Sequence, residues 1–258
     1  MELGCPIRRP SRKFIVADGF ALSNRALARA RKILVVAPHP DDESLGCGGL
    51  ISLLAQNGSA FYIVFVTDGS ASHRNSSAWP PARLAAQREQ EACSALACLG
   101  IENAPRLFLR LPDANIPTPG DLAWESAVVA VRDVLRRFAP DLVILPWRRD
   151  PHCDHRASWL LSQHALRRAS VHPDTLEYAI WLDELGEVED HPKAGEAELV
   201  RVNIGSALAS KRAAIGAHVS QTADLIVDDP NGFRLTPQTI ARLTQSIEIF
   251  LRPINEGH

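Results

Sequence analysis

Short apolar runs alternate with longer segments of mixed polarity along most of the chain. Four runs have the length and composition of buried strands, at 33–37, 61–66, 107–109 and 142–145. Helical spacing of apolar residues predicts four helices, at 45–56, 82–99, 124–138 and 155–169. A fifth strand follows them at 178–181. Strands alternating with helices are typical of a parallel sheet covered on both faces. The pattern predicts an α/β, Rossmann-like three-layer fold with a mostly parallel sheet of about five strands.

The pattern changes after this core. Residues 183–198 are polar and acidic with scattered glycine and proline, which predicts an exposed loop, either a lid or a plain insertion. An edge strand at 199–204 and a helix at 207–217 follow, and apolar spacing at 238–251 predicts a last amphipathic helix on the outside. We expect one domain over 1–258, with a core at about 32–221 and a C-terminal helical extension at 236–253.

The charge and cysteine content argue against several classes of protein. Lys and Arg number 28 against 30 Asp and Glu, and a net charge of -2 provides no basic field for binding nucleic acid. The 5 cysteines form no Cys-x-x-Cys pair, which argues against a disulfide framework and a structural zinc knuckle. No stretch has the length of a membrane span, and the apolar run at 14–22 contains Asp18 and lacks a cleavage site. We therefore expect a cytoplasmic protein.

Two clusters of metal-capable side chains follow two of the predicted strands. His-Pro-Asp-Asp-Glu occupies 39–43, after the first strand, and His-Cys-Asp-His occupies 152–155, after the fourth. Open α/β sheets build their sites at the carboxyl ends of strands, so the clusters are expected to meet if these strands are neighbours. Catalytic zinc needs three protein ligands and one open position, which His39, a carboxylate at 41–42 and His155 can supply.

The residues alone leave the roles within the first cluster open. Asp41, Asp42 and Glu43 are each able to serve as metal ligand, general base or helix cap. In the alternative interpretation, a carboxylate merely caps the next helix, and His152 and His155 are ordinary loop residues. The occurrence of two clusters at two strand ends favours the metal site.

Glycines after the first cluster offer a rival interpretation, a phosphate-binding turn at a helix N-terminus. The spacing of Gly46, Gly48 and Gly49 does not give Gly-x-Gly-x-x-Gly, and the acidic residues before them would repel a pyrophosphate. Close packing of the helix is the better explanation. The chain also lacks the Gly-x-Ser-x-Gly elbow of serine hydrolases, which argues against a serine triad.

The two clusters closely resemble those of the PIG-L/LmbE family of zinc-dependent N-deacetylases. The family pattern begins Ala-His-Pro-Asp-Asp-Glu, so Pro38 departs from it at one position, and Cys153 replaces the proline of its His-Pro-Asp-His run. Weaker matches extend the resemblance from about 32 to about 221, among them the motifs at 67–69, 111–113 and 218–221.

The resemblance implies a role for each residue of the clusters. His39, Asp42 and His155 would hold zinc, or iron(II) in its place. Asp41 would act as the general base, and a protonated His152 would stabilise the tetrahedral oxyanion.

Further residues receive roles near the site. Asp154 would orient a histidine from behind it, or would be an exposed or capping residue. The resemblance points to Arg88 and Asp113 as contacts to sugar hydroxyls. The residues alone favour a solvated or structural Arg88 on its charged helix, and they allow 111–113 to be only a turn. His218 would lie at the edge of the site or would be structural.

The resemblance implies a zinc-dependent hydrolase that removes an N-acyl group, most often acetyl, from an amino sugar or glycoconjugate. An amidase acting on a thiol conjugate or another small amide would use the same machinery. A non-catalytic module that binds a nucleotide or sugar is the alternative from another class. Loops set specificity in such enzymes, here the loops at 70–81, 113–120 and 183–198, so the identity of the substrate stays open. The oligomeric state also stays open.

Overall fold

The structure, a computed structural model, describes residues 30–254, so the apolar run at 14–22 lies outside the described residues. Within them are seven strands: β1 Lys32–Ala37, β2 Ala60–Thr67, β3 Arg106–Leu111, β4 Leu142–Pro146, β5 Asp174–Tyr178, β6 Ala197–Asn203 and β7 Ile247–Pro253. The same part of the chain holds eight α-helices: α1 Asp42–Gln56, α2 Pro81–Cys98, α3 Leu122–Phe138, α4 Cys153–Ala169, α5 Leu182–Leu185, α6 Leu208–Ala217, α7 Val219–Thr222 and α8 Pro237–Leu243.

The strands form a single sheet in the order β3-β2-β1-β4-β5-β7-β6. Strands β1 to β5 are parallel, whereas β7 runs antiparallel to both β5 and β6. Along β1, Ile33 and Val35 belong to one buried cluster and Leu34 and Val36 to the other, so both faces of the sheet are covered. The predicted α/β, Rossmann-like architecture is confirmed. The strand order changes direction between β1 and β4, the place where open α/β sheets bind ligands.

The predicted C-terminal helix at 238–251, and with it the helical extension at 236–253, is wrong in its second half. Helix α8 ends at Leu243, and β7 then inserts between β5 and β6. Glu248 and Phe250 are buried while Ile247 and Ile249 are about half exposed, which is the alternation of a strand. The sheet therefore has seven strands instead of about five.

The strand predicted at 178–181 lies earlier in the chain. β5 ends at Tyr178, because its pairing with β4 runs from Leu142 opposite Asp174 to Pro146 opposite Tyr178. The edge strand predicted at 199–204 is confirmed as β6, which begins two residues earlier. The acidic segment 183–198 is not a plain loop, since it contains most of α5, a short 3-10 helix at Val188–Asp190 and the start of β6.

The glycines of α1 permit close packing, as predicted. A Cβ atom on Gly46 would lie 2.3 Å from the ring of Tyr178, and one on Gly49 would lie 2.5 Å from Ile204. The helix bends at Cys47, and the carboxylate of Glu248 accepts hydrogen bonds of 2.8 Å from the backbone amides at positions 49 and 50. Strand β7 thus fixes the helix that follows the first histidine cluster.

None of the helices in the described part of the chain combines the length and the apolar character that a bilayer crossing requires.

Candidate active site

The two histidine clusters meet at the carboxyl ends of β1 and β4. These strands are direct neighbours in the sheet, and each cluster leads into the helix that follows its strand. The imidazole rings of His39 and His155 lie 5.6 Å apart between centroids, and the ring of His152 lies 4.8 Å from that of His39. Two stretches of chain that are more than one hundred residues apart therefore build one site.

One carboxylate oxygen joins the two histidines. Oδ2 of Asp42 lies 3.0 Å from Nδ1 of His39 and 3.3 Å from Nε2 of His155. The same oxygen accepts a 2.8 Å hydrogen bond from the backbone amide of His39, which holds the carboxylate in this orientation. Imidazole nitrogen and carboxylate oxygen are the donor types that zinc prefers.

A second carboxylate lies behind each histidine. Nε2 of His39 lies 3.0 Å from Oδ2 of Asp154, and Nδ1 of His155 lies 3.4 Å from Oδ1 of Asp150. Each ring thus has one nitrogen toward Asp42 and the other toward a further carboxylate. Carboxylates that orient metal-binding histidines in proteins take this position. Asp154 was predicted there, whereas Asp150 was missed, because an aspartate just before a proline is also an ordinary turn residue.

The surroundings of the two histidines favour a positive charge. Burial by itself would lower the pKa of His39, but the carboxylates of Asp113, Asp154 and Asp42 outweigh it and hold the pKa well above its ordinary value. For His155, burial again lowers the pKa, while two carboxylates raise it to about 9. Carboxylates that favour protons on these rings would equally favour a divalent cation in place of the protons.

His155 fits a metal ligand in a further respect. The residue is completely buried, yet neither of its ring nitrogens makes a hydrogen bond, since the neighbouring carboxylate oxygens lie outside hydrogen-bonding geometry. A buried polar atom without a partner is costly in a protein interior. An ion coordinated by His155 would satisfy one of these nitrogens, so the residues present fit a bound metal.

Three other groupings of possible ligands occur nearby. His152 joins His39 and His155 in the first, Asp113 and Asp154 join His39 in the second, and His152, Cys153 and Asp154 form the third. The set of His39, Asp42 and His155 explains more of the site, because it uses the nitrogen of His155 that lacks a partner and leaves Asp154 as support. Asp113 then stays available to the cavity.

Asp41 is held at both its backbone and its side chain. Its φ of 153° is unusual for a residue other than glycine, and its amide donates to Oε2 of Glu43 over 3.1 Å. Arg88 donates to Oδ2 of Asp41 over 2.9 Å and to the carbonyl oxygen of Pro40 over 3.0 Å. Oδ1 of Asp41 accepts no hydrogen bond from the described residues. Burial raises the pKa of Asp41 to about 6 against the opposing effect of the guanidinium.

The surroundings of His152 disfavour the protonated ring that the resemblance implies. Burial and the positive charges of His39 and His155 lower the pKa of its imidazole to about 4. Its Nδ1 accepts a 3.2 Å hydrogen bond from the amide of Asp154, which leaves the proton of the neutral ring on Nε2. A neutral imidazole of this tautomer remains a hydrogen-bond donor.

The sequence comparisons agree with this geometry. Residues 34–166, about half of the chain, match the family described as PIG-L: GlcNAc-PI de-N-acetylase. The chain belongs to the PIG-L family.

Curated relatives of known name are similar over part of the chain. Identity is 27% over 154 residues with diacetylchitobiose deacetylase of Thermococcus kodakarensis, covering 57% of this chain and 54% of that protein. It is 30% over 193 residues with 1D-myo-inositol 2-acetamido-2-deoxy-alpha-D-glucopyranoside deacetylase of Rhodococcus erythropolis, covering 66% and 58%. The chain thus matches little more than half the length of these relatives.

Solved structures share the fold over nearly the whole chain. N,N'-diacetylchitobiose deacetylase from Pyrococcus horikoshii superposes with a TM-score of 0.66 at 24% identity, covering 91% of this chain and 88% of that one. A 4-carboxy-2-hydroxymuconate hydratase from Pseudomonas putida has a TM-score of 0.63 at 18% identity, covering 88% and 98%. At such identities the likeness shows the fold alone, and because a hydratase shares it, the reaction must be argued from the site.

A cavity of about 420 Å³ opens above the site of this PIG-L chain. His39, Asp41 and His152 line its floor together with Arg88 and Asp113. All three segments predicted to set specificity contribute to its walls, through Ala71, Ser72, Arg74, Ala114 and Leu185. Residues that the sequence did not point to complete the walls, namely Trp181, Phe233 and Leu235.

The two residues suggested as sugar contacts differ in their surroundings. Arg88 is 3% exposed, so the solvated interpretation is wrong, and its donors are directed to Asp41, Pro40 and the carbonyl oxygen of Gly69. Asp113 lines the cavity, with Oδ2 accepting a 2.8 Å hydrogen bond from the amide of Ala71 and Oδ1 3.4 Å from Nε2 of His39. Contact with a sugar remains a prediction for both.

His218 is buried behind the site and is not at its edge. Its Nε2 lies 3.2 Å from Oε1 of Glu43, the residue whose other oxygen holds the amide of Asp41. Lys211, on α6, pairs with Glu248 over 2.7 Å inside the core. Both residues are therefore structural, and His218 supports Asp41 through Glu43.

Proposed function

We propose that this chain is a metal-dependent deacetylase that removes the acetyl group from the nitrogen of an amino sugar or glycoconjugate. The observation that carries the proposal is the arrangement of His39 and His155 around one oxygen of Asp42, with Asp41 beside them on the floor of an open cavity. The names of two curated relatives, both deacetylases of acetylated amino sugars, support it.

His39, Asp42 and His155 would hold the ion, with zinc as the first candidate and iron(II) as the second. Bound there, zinc would supply a water that ionises near neutral pH, and the ion would also polarise the amide carbonyl. Asp154, 3.0 Å from Nε2 of His39, and Asp150, 3.4 Å from Nδ1 of His155, would keep the two imidazoles in orientation.

Asp41 would act as the general base. Its Oδ2 is occupied by Arg88, so the carboxylate cannot rotate freely, and Oδ1 is left to accept the proton of the attacking water. The proton is then available for the departing amine, which must be protonated as the carbon–nitrogen bond breaks. The buried pair with Arg88 keeps this carboxylate in one position before the substrate arrives.

His152 would stabilise the tetrahedral oxyanion as a hydrogen-bond donor. A ring with its proton on Nε2 is able to donate this hydrogen bond, because its Nδ1 accepts from the amide of Asp154. Asp113, with one oxygen facing the cavity, would accept from a sugar hydroxyl.

A matched pair of neighbouring substitutions tests the assignment. Asp41→Asn should reduce acetate release by about 1,000-fold or more while the protein retains one metal ion, because only the base is lost. Asp42→Asn should lose both the metal and the activity. Asp174→Asn, at the amino end of β5 and hence at the opposite edge of the sheet, is the control that should change neither.

The outcomes separate the proposal from its alternatives. Full activity of Asp41→Asn would refute the base assignment, and metal retention by Asp42→Asn would refute the ligand set. Hydrolysis of thiol-linked amides in preference to acetylated sugars would favour the amidase. Thermal stabilisation by nucleotides with no turnover of any amide would favour the binding module.

A further inference from the structure

One side of the cavity is made of large apolar side chains, in contrast to its polar floor. These residues, Trp181, Leu185, Phe233 and Leu235, are called the apolar wall below. Leu185 is 64% exposed and Phe233 is 42% exposed, so this part of the wall lies at the mouth of the cavity. The wall therefore extends to the mouth of the cavity.

The Phe233 half of the wall is held firmly. The amide of Phe233 donates to the carbonyl oxygen of Ser72 over 2.6 Å, and the amide of Leu235 donates to the carbonyl oxygen of Gln221 over 2.8 Å. Gly232 is packed so tightly that a Cβ atom would lie 2.2 Å from the ring of His73. Phe233 is consequently exposed because of its fixed backbone and not because the segment is loose.

The Trp181 half is held in a similar way. The amide of Trp181 donates to Oδ2 of Asp150, and its ring meets that of Phe233 edge to face at 5.8 Å between centroids. Glu184, in the short helix that carries Leu185, accepts hydrogen bonds from Thr239 over 2.8 Å and from Arg242 over 2.6 Å. The two halves come from distant parts of the chain and form one surface.

Rigid, exposed apolar side chains next to an active site indicate that a ligand covers them. Burial of apolar surface is favourable, and a surface that is already ordered pays little entropy when it binds. The polar floor suits an amide and hydroxyl groups, whereas the wall offers no hydrogen bonds from its side chains other than the indole N–H. A substrate that fills this cavity must have a polar end and an apolar end.

We propose that the substrate is an N-acetylated amino sugar that carries an apolar aglycone, and that the apolar wall binds this aglycone. The inference rests on the deacetylase activity proposed above. An acetyl group extends only one bond beyond its carbonyl carbon, which reacts at the cavity floor. The apolar group must therefore belong to the sugar side of the substrate. Phe233 and Leu185 are then residues that determine specificity.

The test compares the phenyl and methyl glycosides of N-acetylglucosamine as substrates. We expect kcat/KM for acetate release to be at least about 10-fold higher for the phenyl glycoside. Phe233→Ala should reduce this ratio to near one, and Leu185→Ser should lower it in the same direction. Val188→Ala is the matched control, because Val188 is 72% exposed in the same segment but does not line the cavity, and it should leave the ratio unchanged.

The possible results are distinct. Equal kcat/KM for the two glycosides, or a preference that Phe233→Ala and Leu185→Ser leave intact, would overturn the inference while the deacetylase function stands. Preference for an N-hexanoyl over an N-acetyl methyl glycoside that is lost in Phe233→Ala would assign the wall to the acyl chain and would also overturn it. Failure to release acetate from either glycoside, or from other acetylated amino sugars, would refute the function itself.

Discussion

At the scale of single residues, the site depends on pairs of contacts that fix each functional group from two sides. Asp42 is held by the amide of His39, and Asp41 is held by Arg88 at its carboxylate and by Glu43 at its amide. The φ of 153° at Asp41 is a strained conformation that such contacts must maintain. Strain of this kind is common where a side chain must be presented to a substrate.

A glycine of α1 tests how closely the site helix is packed. Gly49→Ala would place a methyl group 2.5 Å from Ile204, so we expect the free energy of unfolding to fall by about 1–3 kcal/mol. Gly216→Ala is the matched control, because no atom lies within 4 Å of its Cβ position and alanine is favoured in helices. Urea unfolding should show Gly216→Ala stabilised by roughly 0.5–1 kcal/mol. Equal effects of the two substitutions would contradict the packing argument.

Most individual site residues could be predicted from the sequence, since both clusters stand directly after apolar runs. The roles of Asp41 and Asp42 could not be separated by spacing, because the side chains of adjacent aspartates differ only in the direction in which the backbone projects them. The solvated alternative for Arg88 was wrong for a related reason: its helix is rich in charge, but this one side chain points inward to Asp41. The lowered pKa of His152 depends on its burial and on the positions of two other histidines, which local spacing cannot show.

At the scale of elements, the carboxyl ends of β1 and β4 place the clusters, and β7 stabilises the helix after the first one. The error at 238–251 has a specific cause. Ile240, Leu243, Ile247 and Leu251 are spaced at three and four residues, which fits a helix, whereas the exposure of residues 247–250 in the structure alternates as in a strand. Pairing with β5 and β6 decides in favour of the strand, and local spacing cannot show that pairing.

An ion pair between two elements gives a pH-dependent prediction. Arg149, after β4, donates to both carboxylate oxygens of Glu196, which immediately precedes β6, over 2.5 and 2.7 Å. These hydrogen bonds lower the pKa of Glu196 from 4.5 to about 2. The stabilisation is therefore complete above pH 4.5 or so and is lost as the pH falls through about 2.

Glu196→Gln should consequently lower the melting temperature at pH 7, and the difference from the wild type should shrink as the pH falls from about 4.5 to 2. Glu198→Gln, two residues along and without an ion pair among the described residues, should cause no comparable change. A difference that is constant with pH would show that the carboxylate charge does not stabilise the fold.

At the scale of the whole molecule, the alternation of strands and helices was sufficient to predict the architecture, because apolar residues recur at different spacings in strands and in helices. The cavity could not be predicted in the same way. His39, Asp41 and His152 of its floor come from two motifs, but Arg88 and Asp113 join them from elsewhere in the chain. Its walls come from segments near 71–74, 181–185 and 233–235 that meet only through the complete fold. Substrate preference therefore depends on features that no single stretch of sequence displays.

The most direct test of the account is acetate release measured while metal is returned to protein from which it has been stripped. With an N-acetylated amino sugar as substrate, activity should be absent without metal and should rise in proportion to added Zn²⁺ up to one equivalent, with Fe²⁺ compared under anaerobic conditions. Undiminished acetate release from protein with substoichiometric metal would contradict the central claim that His39, Asp42 and His155 hold a catalytic ion. So would the absence of acetate release after full loading with either metal.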